Sequence, residues 1–458
     1  MRQFVTFCVL WLTLLGTAVF GQAHVDARGL ALCNAYTVTS RGVSAIGFNP
    51  ANLGYTEDLT FSANFLDFKM SASNNFMSMA LFNQYFTGDR DGNAFDLETR
   101  MPGKDITHKE YLLSLIPEDG FAFKLGVSAP LPLLNVSLGN YAFTSGVEYY
   151  MHNSLPKGLF EIILDGNEVG RSFELSLNQD VLMITNFAFS FAIPFEKYNL
   201  GATIKYLAGI GFAGVDSSGG AFRTEPSGLE SDGFYRYTRA IGGNGLAVDL
   251  GFNTRKIGDW QYGVAINNVI GFVNWGNDDN IIAKNIKLIE GLIPIRDLLQ
   301  ISPDSTIYAA SNLYSMELES IGAIDALSGS DSLFQIRDTS VAVPDSIRMN
   351  YPAIFRVGAS YQYKNDFILM ADLSAGLDDY YFATRDWRLA IATEWIRFKM
   401  VPIRSGMAFG GPFGREASLG AGVHLIWFDA DVAIKLLGGF SFATAEGVEL
   451  GINFQFKR

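Results

Sequence analysis

Hydrophobic residues alternate with small or polar residues along many segments of this chain. In residues 446–456, one face is hydrophobic, while Glu449, Gly451, Asn453 and Gln455 share the other face. A repeat of two residues is typical of a β-strand with two different faces. The same alternation recurs in residues 186–195, 246–253, 355–363, 387–395 and 419–427.

The connections between these segments indicate hairpins. Short turns at 196–197, 256–259 and 364–365 join pairs of predicted strands,. They alternate with two long segments, 211–244 and 274–351, whose Gly, Ser, Asp and Asn content predicts loops,. Short turns on one rim and long loops on the other are typical of outer-membrane barrels.

Helical patterns are few and short. Thr107 and Glu110 have capping-box spacing ahead of residues 111–116, and residues 156–164 and 281–299 have helical spacing,. No helical layer covers the apolar faces of the strands, so we expect lipid to cover them. The predicted fold class is all-β, a transmembrane antiparallel β-barrel of about 14 to 16 strands.

Composition supports this interpretation. Of 458 residues, 48% are hydrophobic, 14% are aromatic and only 18% are charged, with 37 Phe and 47 Gly. Soluble domains usually carry more charge, whereas a membrane barrel needs an apolar band and aromatic girdles. The net charge of −13 argues against a nucleic-acid surface and is compatible with acidic loops outside the cell envelope,.

The amino terminus resembles a secretory signal. Residues 1–23 combine Arg2, an apolar run over residues 4–20 and small residues before a cleavage site expected at His24,. A membrane anchor is the alternative, but the apolar run is at the short end for a span. With Cys8 in the signal, the mature chain would keep only Cys33 and form no internal disulfide.

Residues 24–56 precede the first predicted strand, near Leu59, and are rich in small residues around an Asn49-Pro50-Ala51 turn. Small residues and Pro allow an irregular backbone to pack inside a lumen, where barrel side chains satisfy its amides. We therefore predict a hatch at 24–56 and a barrel at 57–458, with a long insertion at about 274–351.

This block resembles the start of the long-chain fatty acid transporter family of outer-membrane barrels, in an uncharacterised branch. The resemblance is carried by Gly29, Ala35-Tyr36, Ala45 and residues 49–53. It implies a fourteen-stranded barrel filled by an N-terminal hatch, through which, or beside which, hydrophobic substrates pass. The insertion departs from the family pattern, so family substrate residues are not transferred.

Charged residues on the inward faces of strands are the best functional candidates. A charge in the lumen must be solvated or paired, and an Arg there would suit a carboxylate headgroup. The alternative is a structural network of salt bridges that fills a wide barrel. The candidates are Lys205, Asp249, Arg356, Asp372, Arg388, Glu394 and Arg404.

Enzyme chemistry and metal binding have weaker support. The four histidines, His24, His108, His152 and His424, lack metal-ligand spacing, and residues 88–96 depart from a calcium loop,. A barrel hydrolase would need His152 or His424 as its base, but no nucleophile elbow accompanies either. We therefore expect no enzyme activity, metal or cofactor.

The resemblance implies an outer-membrane protein of a Gram-negative-type bacterium that mediates passage of small hydrophobic compounds such as long-chain fatty acids. The alternative is a scaffold or binding protein that presents its long loops to a secretion or surface partner. Expected partners are outer-membrane lipid, a hydrophobic ligand and the barrel assembly machinery, which would recognise the terminal strand with Phe456. That strand should close the barrel against the first one.

Overall fold

The computed structural model describes most of the chain after the predicted signal. The expected signal and the helical pattern at 281–299 lie outside the described residues, as do residues 88–94 of the acidic segment. The described residues are 26–57, 59–87, 95–131, 134–226, 228–276, 309–321, 335–341, 346–379, 381–398 and 400–458.

Strands dominate the described chain. They are β1 (Phe61–Asn74), β2 (Phe121–Pro130), β3 (Val136–Leu138), β4 (Tyr141–Leu155), β5 (Ser172–Glu174), β6 (Asn178–Pro194), β7 (Tyr198–Glu225), β8 (Gly228–Ile241), β9 (Asn244–Thr254), β10 (Trp260–Gly276), β11 (Ala309–Ile321), β12 (Gln335–Val341), β13 (Ser346–Asn350), β14 (Ile354–Tyr363), β15 (Phe367–Gly376), β16 (Arg388–Trp395), β17 (Ile403–Gly410), β18 (Arg415–His424), β19 (Phe428–Leu437) and β20 (Gly447–Lys457).

These strands close into an antiparallel barrel with fourteen positions in its wall. The second position is shared by β2 and β3, and the eighth by β13 and β14. The terminal strand β20 pairs with β1, with Met70 opposite Leu450 and Ser73 opposite Gly447. The predicted closure is confirmed. It removes the last open edge, so every wall strand has two neighbours. The wall order is β1, β2/β3, β4, β6, β7, β9, β10, β13/β14, β15, β16, β17, β18, β19 and β20.

The outer surface of the barrel is apolar. Along β16, Leu389 and Ile391 point outward and are exposed, whereas Ala390 and Ala392 point inward and are buried. Leu419 at the middle of β18 is 57% exposed. Large apolar side chains on the outside and small or polar ones inside are the reverse of a soluble barrel, and they match a lipid-facing wall. The barrel spans a membrane.

Four short α-helices lie outside the wall pairing. Within the described ranges they are α1 (Ala27–Ala31), α2 (Met79–Tyr85), α3 (His108–Leu115) and α4 (Lys157–Asp165), together with two 3₁₀ helices that cover Gly42–Ala45 and Pro50–Gly54. The predicted capping box of Thr107 and Glu110 is confirmed at the start of α3, and Pro156 occupies the N-cap position of α4 without a side-chain hydrogen bond. None of the helices in the described ranges has the length and hydropathy of a membrane span.

The two rims differ as predicted, but the segment 211–244 is not a loop. It forms the upper half of β7 and the whole of β8, which pair with each other from Gly211 opposite Ile241 to Glu225 opposite Gly228. The Gly and Ser content of this segment suggested a loop. Composition does not reveal strand pairing, and pairing satisfies the backbone hydrogen-bonding groups whatever the side chains are. The segment 274–351 likewise contains β11, β12 and β13. Beyond the rim, strands pair in the order β5, β7, β8, β11, β12, which we call the protruding sheet.

Candidate functional site

Residues 26–57 lie inside the barrel and form what we call the hatch. Its helix α1 is capped by Asp26, whose Oδ1 accepts a 2.6 Å hydrogen bond from the Gly29 amide. Burial raises the pKa of the Asp26 carboxyl above its ordinary value,. The helix packs against small residues of the wall, because a side chain at Gly406 or Gly420 would overlap the backbone of Leu32 or the side chain of Ala31. The inward small residues of the wall therefore make room for the hatch.

A buried carboxylate joins the hatch to the wall. Glu394 Oε2 lies 2.6 Å from Nη2 of Arg28 in the hatch, and its Oε1 lies 2.6 Å from Nε of Arg404 in β17. Arg404 also pairs with Asp431, and His424 Nε2 lies 3.0 Å from Asp431 Oδ1. Burial alone would lower the pKa of the Arg28 guanidinium, but the Glu394 carboxylate outweighs it and the pKa is raised,. We call these five residues the hatch ion network.

A second carboxylate holds the hatch backbone. Asp372 Oδ2 accepts hydrogen bonds from the amides of Tyr36 and Thr37, at 2.9 and 2.8 Å. Nearby, the guanidinium of Arg356 lies 5.2 Å from the centre of the Phe48 ring, within range of a cation–π contact,. Nε of Arg356 donates to Oδ1 of Asn267 at 3.2 Å. The wall thus fixes the hatch by charged hydrogen bonds from several strands.

The Asn49-Pro50-Ala51 segment forms the start of a 3₁₀ helix against the opposite wall. Asn49 Oδ1 accepts from the Ala51 amide at 3.1 Å, and its Nδ2 donates to the Phe252 carbonyl at 3.0 Å. The wall lies very close beneath this segment at Gly201. A Cβ at Gly201 would overlap the backbone of Pro50 and Ala51. The hatch segment therefore depends on a wall position without a side chain.

We expect Gly201→Val to displace the hatch, because its side chain would occupy the volume of the Pro50–Ala51 peptide,. Overpacking of this kind costs about 1–3 kcal/mol. The measurement is the rate of trypsin cleavage at hatch arginines in the folded barrel, which should rise. Gly233→Val is the control, because a Cβ at Gly233 meets only ordinary contacts at 3.5 and 3.7 Å. Equal cleavage rates in the two variants would contradict the expectation.

Two of the predicted lumen charges, Lys205 and Asp249, pair with each other and support an irregularity in the wall. Their Nζ and Oδ1 atoms lie 2.8 Å apart, and Lys205 Nζ also donates to Asn268 Oδ1 at 2.8 Å. Asn268 has a left-handed φ of 55° and lies in the part of β10 where the pairing with β9 shifts, between Ile266 and Ile270. The two charges thus stabilise a bulge in β10.

A cavity of about 480 Å³, which we call the rim cavity, extends from the long-loop rim to the hatch. The loops around Phe382 and Phe413 line its outer part, and Asn34 of the hatch lines its inner end. Tyr381, Ile354 and Leu437 add apolar surface, while charged side chains line the remainder. The rim cavity is therefore amphipathic, with its inner end at the hatch.

The charged side of the rim cavity contains a tight ion cluster. Nε and Nη2 of Arg388 donate to the two oxygens of Glu416 at 2.8 and 2.6 Å. Nζ of Lys435 lies 3.5 Å from Glu416 Oε2 and also pairs with Glu449. The paired geometry of Arg388 and Glu416 is the strong, bidentate form of such contacts.

The structure places all seven predicted charges on the lumen side. Glu394, Arg404 and Asp372 belong to the hatch contacts, Arg356 lies beside Phe48, Arg388 lines the rim cavity, and Lys205 and Asp249 hold the bulge. Their part in ligand passage stays a prediction. Sequence reasoning missed several partners. For most of them the signal was the same two-residue alternation, which continues through the rest of β18 and through β19 and puts them on inward faces. The missed partners are Arg28, Glu416, Asp431, Lys435 and Glu449.

The described histidines have ordinary structural neighbours. His424 belongs to the hatch ion network, and Nδ1 of His108 lies 2.8 Å from the Tyr85 hydroxyl. His152 lines the rim cavity, opposite Lys124 of β2 and Asp180 of β6 in the strand register. Within the described ranges, no group of three His, Cys, Asp or Glu side chains is placed to hold a metal ion.

A closed wall, an apolar outer band and a polar, charged lumen decide the class of the protein. The chain is an outer-membrane β-barrel. A sequence profile described as a family of unknown function, DUF5723, matches residues 50–238 of the barrel. No curated protein matches the sequence of this chain.

Several solved structures are similar to this outer-membrane β-barrel. The toluene transporter TbuX of Ralstonia pickettii has 12% identity and a TM-score of 0.49, covering 96% of this chain and 100% of its own. The P. putida toluene transporter TodX has 9% identity, a TM-score of 0.48 and coverage of 95% and 99%. A FadL homologue of Pseudomonas aeruginosa has 13% identity, a TM-score of 0.44 and coverage of 96% and 99%. Because these TM-scores are below 0.5, we assign the fold from the strand pairing described above and not from these similarities.

Proposed function

We propose that this outer-membrane β-barrel mediates the passage of small hydrophobic compounds across the outer membrane. The observation that carries the proposal is the rim cavity, which begins at the long-loop rim and ends on Asn34 of the hatch. An apolar compound would leave water for the aromatic surface around Phe382 and Phe413 and would then meet the hatch. Movement of the hatch would open the route further.

The contacts of the hatch suggest how it moves. Asp372 binds its backbone, Glu394 binds the side chain of Arg28, and wall glycines pack closely against it. The polar contacts can exchange for water. We infer that the hatch moves as one piece when these contacts are exchanged, so that the segment Asn49-Pro50-Ala51 shifts together with the part that carries Cys33 and Asn34. The family resemblance makes long-chain fatty acids one candidate cargo.

A reversible lock tests whether the hatch must move. The Cys33 amide donates to Oγ of Ser418 at 3.0 Å, so Ser418→Cys places a second thiol beside the native Cys33 of the hatch. In whole cells or proteoliposomes, we expect the oxidised variant to lose uptake of radiolabelled toluene and to regain it after reduction. Thiol titration would establish that the disulfide has formed.

The matched control is the double variant Cys33→Ala, Ser418→Cys, which keeps the wall change but has no partner for the new thiol. It should transport equally well before and after reduction. Full transport by the oxidised lock, with the disulfide shown by titration, would exclude hatch movement as the route and overturn the proposal.

A second candidate function, a scaffold for a protein partner, is favoured by the protruding sheet. Its strands β8 and β11 pair along most of their lengths, and the rings of Tyr235 and Tyr314 stack at 4.9 Å. Phe234 on this sheet is 47% exposed. Copurification in mild detergent separates the two functions: a stoichiometric protein partner supports the scaffold, and bound hydrocarbon or fatty acid supports transport.

The terminal strand carries a further proposal about a partner. Phe456 faces outward on β20 and is 45% exposed, one residue before the end of the strand at Lys457. We propose that the barrel assembly machinery recognises this strand. Phe456→Ala should therefore slow insertion in cells, measured as the fraction of newly made protein that becomes protease-resistant, without changing the pairing of β20 with β1.

A further inference from the structure

We propose that the rim cavity selects amphipathic compounds whose polar end donates hydrogen bonds and carries no negative charge. This inference rests on the proposed function, because it names the class of compound that the same route accepts. It departs from a fatty acid cargo, since the head of a fatty acid is a carboxylate. Two independent observations carry it: the charge balance of the lining and a polar side chain of the hatch.

The cations of the rim cavity are largely compensated. Arg388 and Lys435 pair with Glu416 and Glu449, which leaves two positive and two negative charges in balance. An entering carboxylate would have to displace these buried carboxylates to reach either cation. Breaking a buried pair is expensive, so the ion cluster is a poor receptor for an anion.

The remaining charged lining is acidic. Lys124 is the other cation of the cavity lining in the described ranges, while Asp180, Asp379 and Asp386 contribute three carboxylates. The balance of these four is therefore −2, with His152 counted as neutral. Two further charges, Arg385 and Asp378, flank the cavity. Arg385 lies 3.8 Å from Asp379 and 3.4 Å from Asp378, so the charges of Arg385 and Asp378 offset each other and leave the balance unchanged. The field in the cavity repels anions and favours neutral or cationic heads.

Asn34 supplies a polar group at the inner end of the cavity. It is 8% exposed, it follows α1 with a left-handed φ of 60°, and it lines the cavity. Its Oδ1 has no hydrogen-bond partner among the described residues. Rotation about the last side-chain bond can turn the carbonyl toward the cavity. A buried acceptor without a donor is costly, so a ligand hydroxyl or ammonium that reaches it is stabilised.

The apolar part of the cavity fits the rest of such a compound. Phe382, Tyr381 and Phe413 lie toward the rim, whereas Asn34 lies at the hatch. A compound that enters with its polar end first places that end at Asn34 and its ring or chain on the aromatic surface. The favoured class is therefore a phenol, alcohol or amine with one apolar end.

A matched set of aromatic compounds tests the inference on the full-length barrel in lipid nanodiscs. The probes are para-ethylphenol, para-ethylbenzylamine, para-ethylbenzoate and ethylbenzene, and the readout is the Kd from calorimetry after subtraction of empty nanodiscs. We expect the phenol and the amine to bind on the order of tenfold more tightly than the benzoate, because of the acidic lining. The phenol should also exceed ethylbenzene by about fivefold, the worth of one hydrogen bond.

Asn34→Gly isolates the hatch contribution, because glycine accepts the left-handed backbone without strain. It should lower the affinity for the phenol about fivefold and leave ethylbenzene unchanged. Asp180→Asn with Asp386→Asn should reduce the discrimination against the benzoate. Benzoate bound as tightly as the phenol, or an unchanged phenol affinity in Asn34→Gly, would overturn the inference.

The outcomes also separate this inference from the proposed function. If none of the four compounds binds, the inference fails, and the proposed function is decided by the transport assay with the Ser418→Cys lock. If the phenol and amine bind as expected but the oxidised Ser418→Cys lock transports normally, the route through the hatch fails and the selectivity of the cavity stands. If the lock blocks transport and the benzoate binds best, the route stands and the selectivity fails.

Discussion

Glu394→Gln should release the hatch from the wall. The carboxylate lies 2.6 Å from both Arg28 and Arg404, and its side chain is almost completely buried. With a neutral amide at this position, Arg28 loses its ionic partner, while Arg404 keeps Asp431. Breaking a buried ion pair by changing one partner costs about 3–5 kcal/mol, because it leaves a charge without compensation.

The effect should concentrate on the hatch, because hydrogen bonds between β16 and β17 do not depend on the Glu394 side chain. Trypsin cleavage after Arg28 or Arg41 in the folded barrel should rise strongly, while the barrel keeps its strand content by circular dichroism. Adding Arg28→Met to Glu394→Gln should restore protection at Arg41, since a buried apolar residue needs no counter-charge; cleavage at residue 28 is not compared, because the substitution removes that trypsin site.

Glu98→Gln is the matched control for this prediction. Glu98 pairs with Lys109 at 3.0 Å, but its side chain is 70% exposed. Exposed pairs contribute about 0–1 kcal/mol, so cleavage of the hatch should stay at the level of the unmodified barrel. Equal behaviour of Glu394→Gln and Glu98→Gln would show that the hatch ion network does not hold the hatch.

Leu419→Arg should destabilise the barrel in lipid by about 2–4 kcal/mol, the cost of an arginine at the bilayer midplane. Leu419 lies at the middle of β18, points outward and is 57% exposed. In a soluble barrel an exposed leucine would tolerate this change. The measurement is the free energy of unfolding by urea from lipid vesicles, under conditions in which the unmodified barrel refolds.

Leu425→Arg provides the control at another depth. Leu425 is also outward-facing, at 44% exposed, but it lies in the turn between β18 and β19 on the short-turn rim. At the membrane interface the same substitution should cost about 0–1 kcal/mol. A cost that is equal at the two positions would contradict the assignment of β18 as a membrane-spanning strand.

Local patterns along the chain were enough to predict the wall. In β20 and in the strands around Leu389 and Leu419, apolar residues that face lipid alternate with residues that face the lumen. This alternation can be read from adjacent residues, without knowledge of distant contacts. The capping box at Thr107 and Glu110 is equally local, and α3 forms there. The segment 211–244 was misjudged because its strands are stabilised by pairing with each other, and composition does not show pairing.

The candidate site was predictable only in part. Inward charges such as Glu394 and Arg404 were found because each lies on a polar face of its own strand. Their partners were not, since Arg28 lies 366 positions from Glu394 and no periodicity connects a hatch residue to a wall strand. Asn34 was missed for a related reason: its importance comes from a left-handed backbone at the end of α1 and from the cavity above it.

By itself, the sequence determined that the chain forms a membrane barrel with apolar and polar faces, since strand period and lipid exposure follow from local order. Tertiary structure alone decided which charges compensate each other, where the hatch lies against glycine positions, and that the rim cavity is acidic and ends at Asn34. Those features depend on distances between strands far apart in the chain, and closure of the barrel brings those strands together.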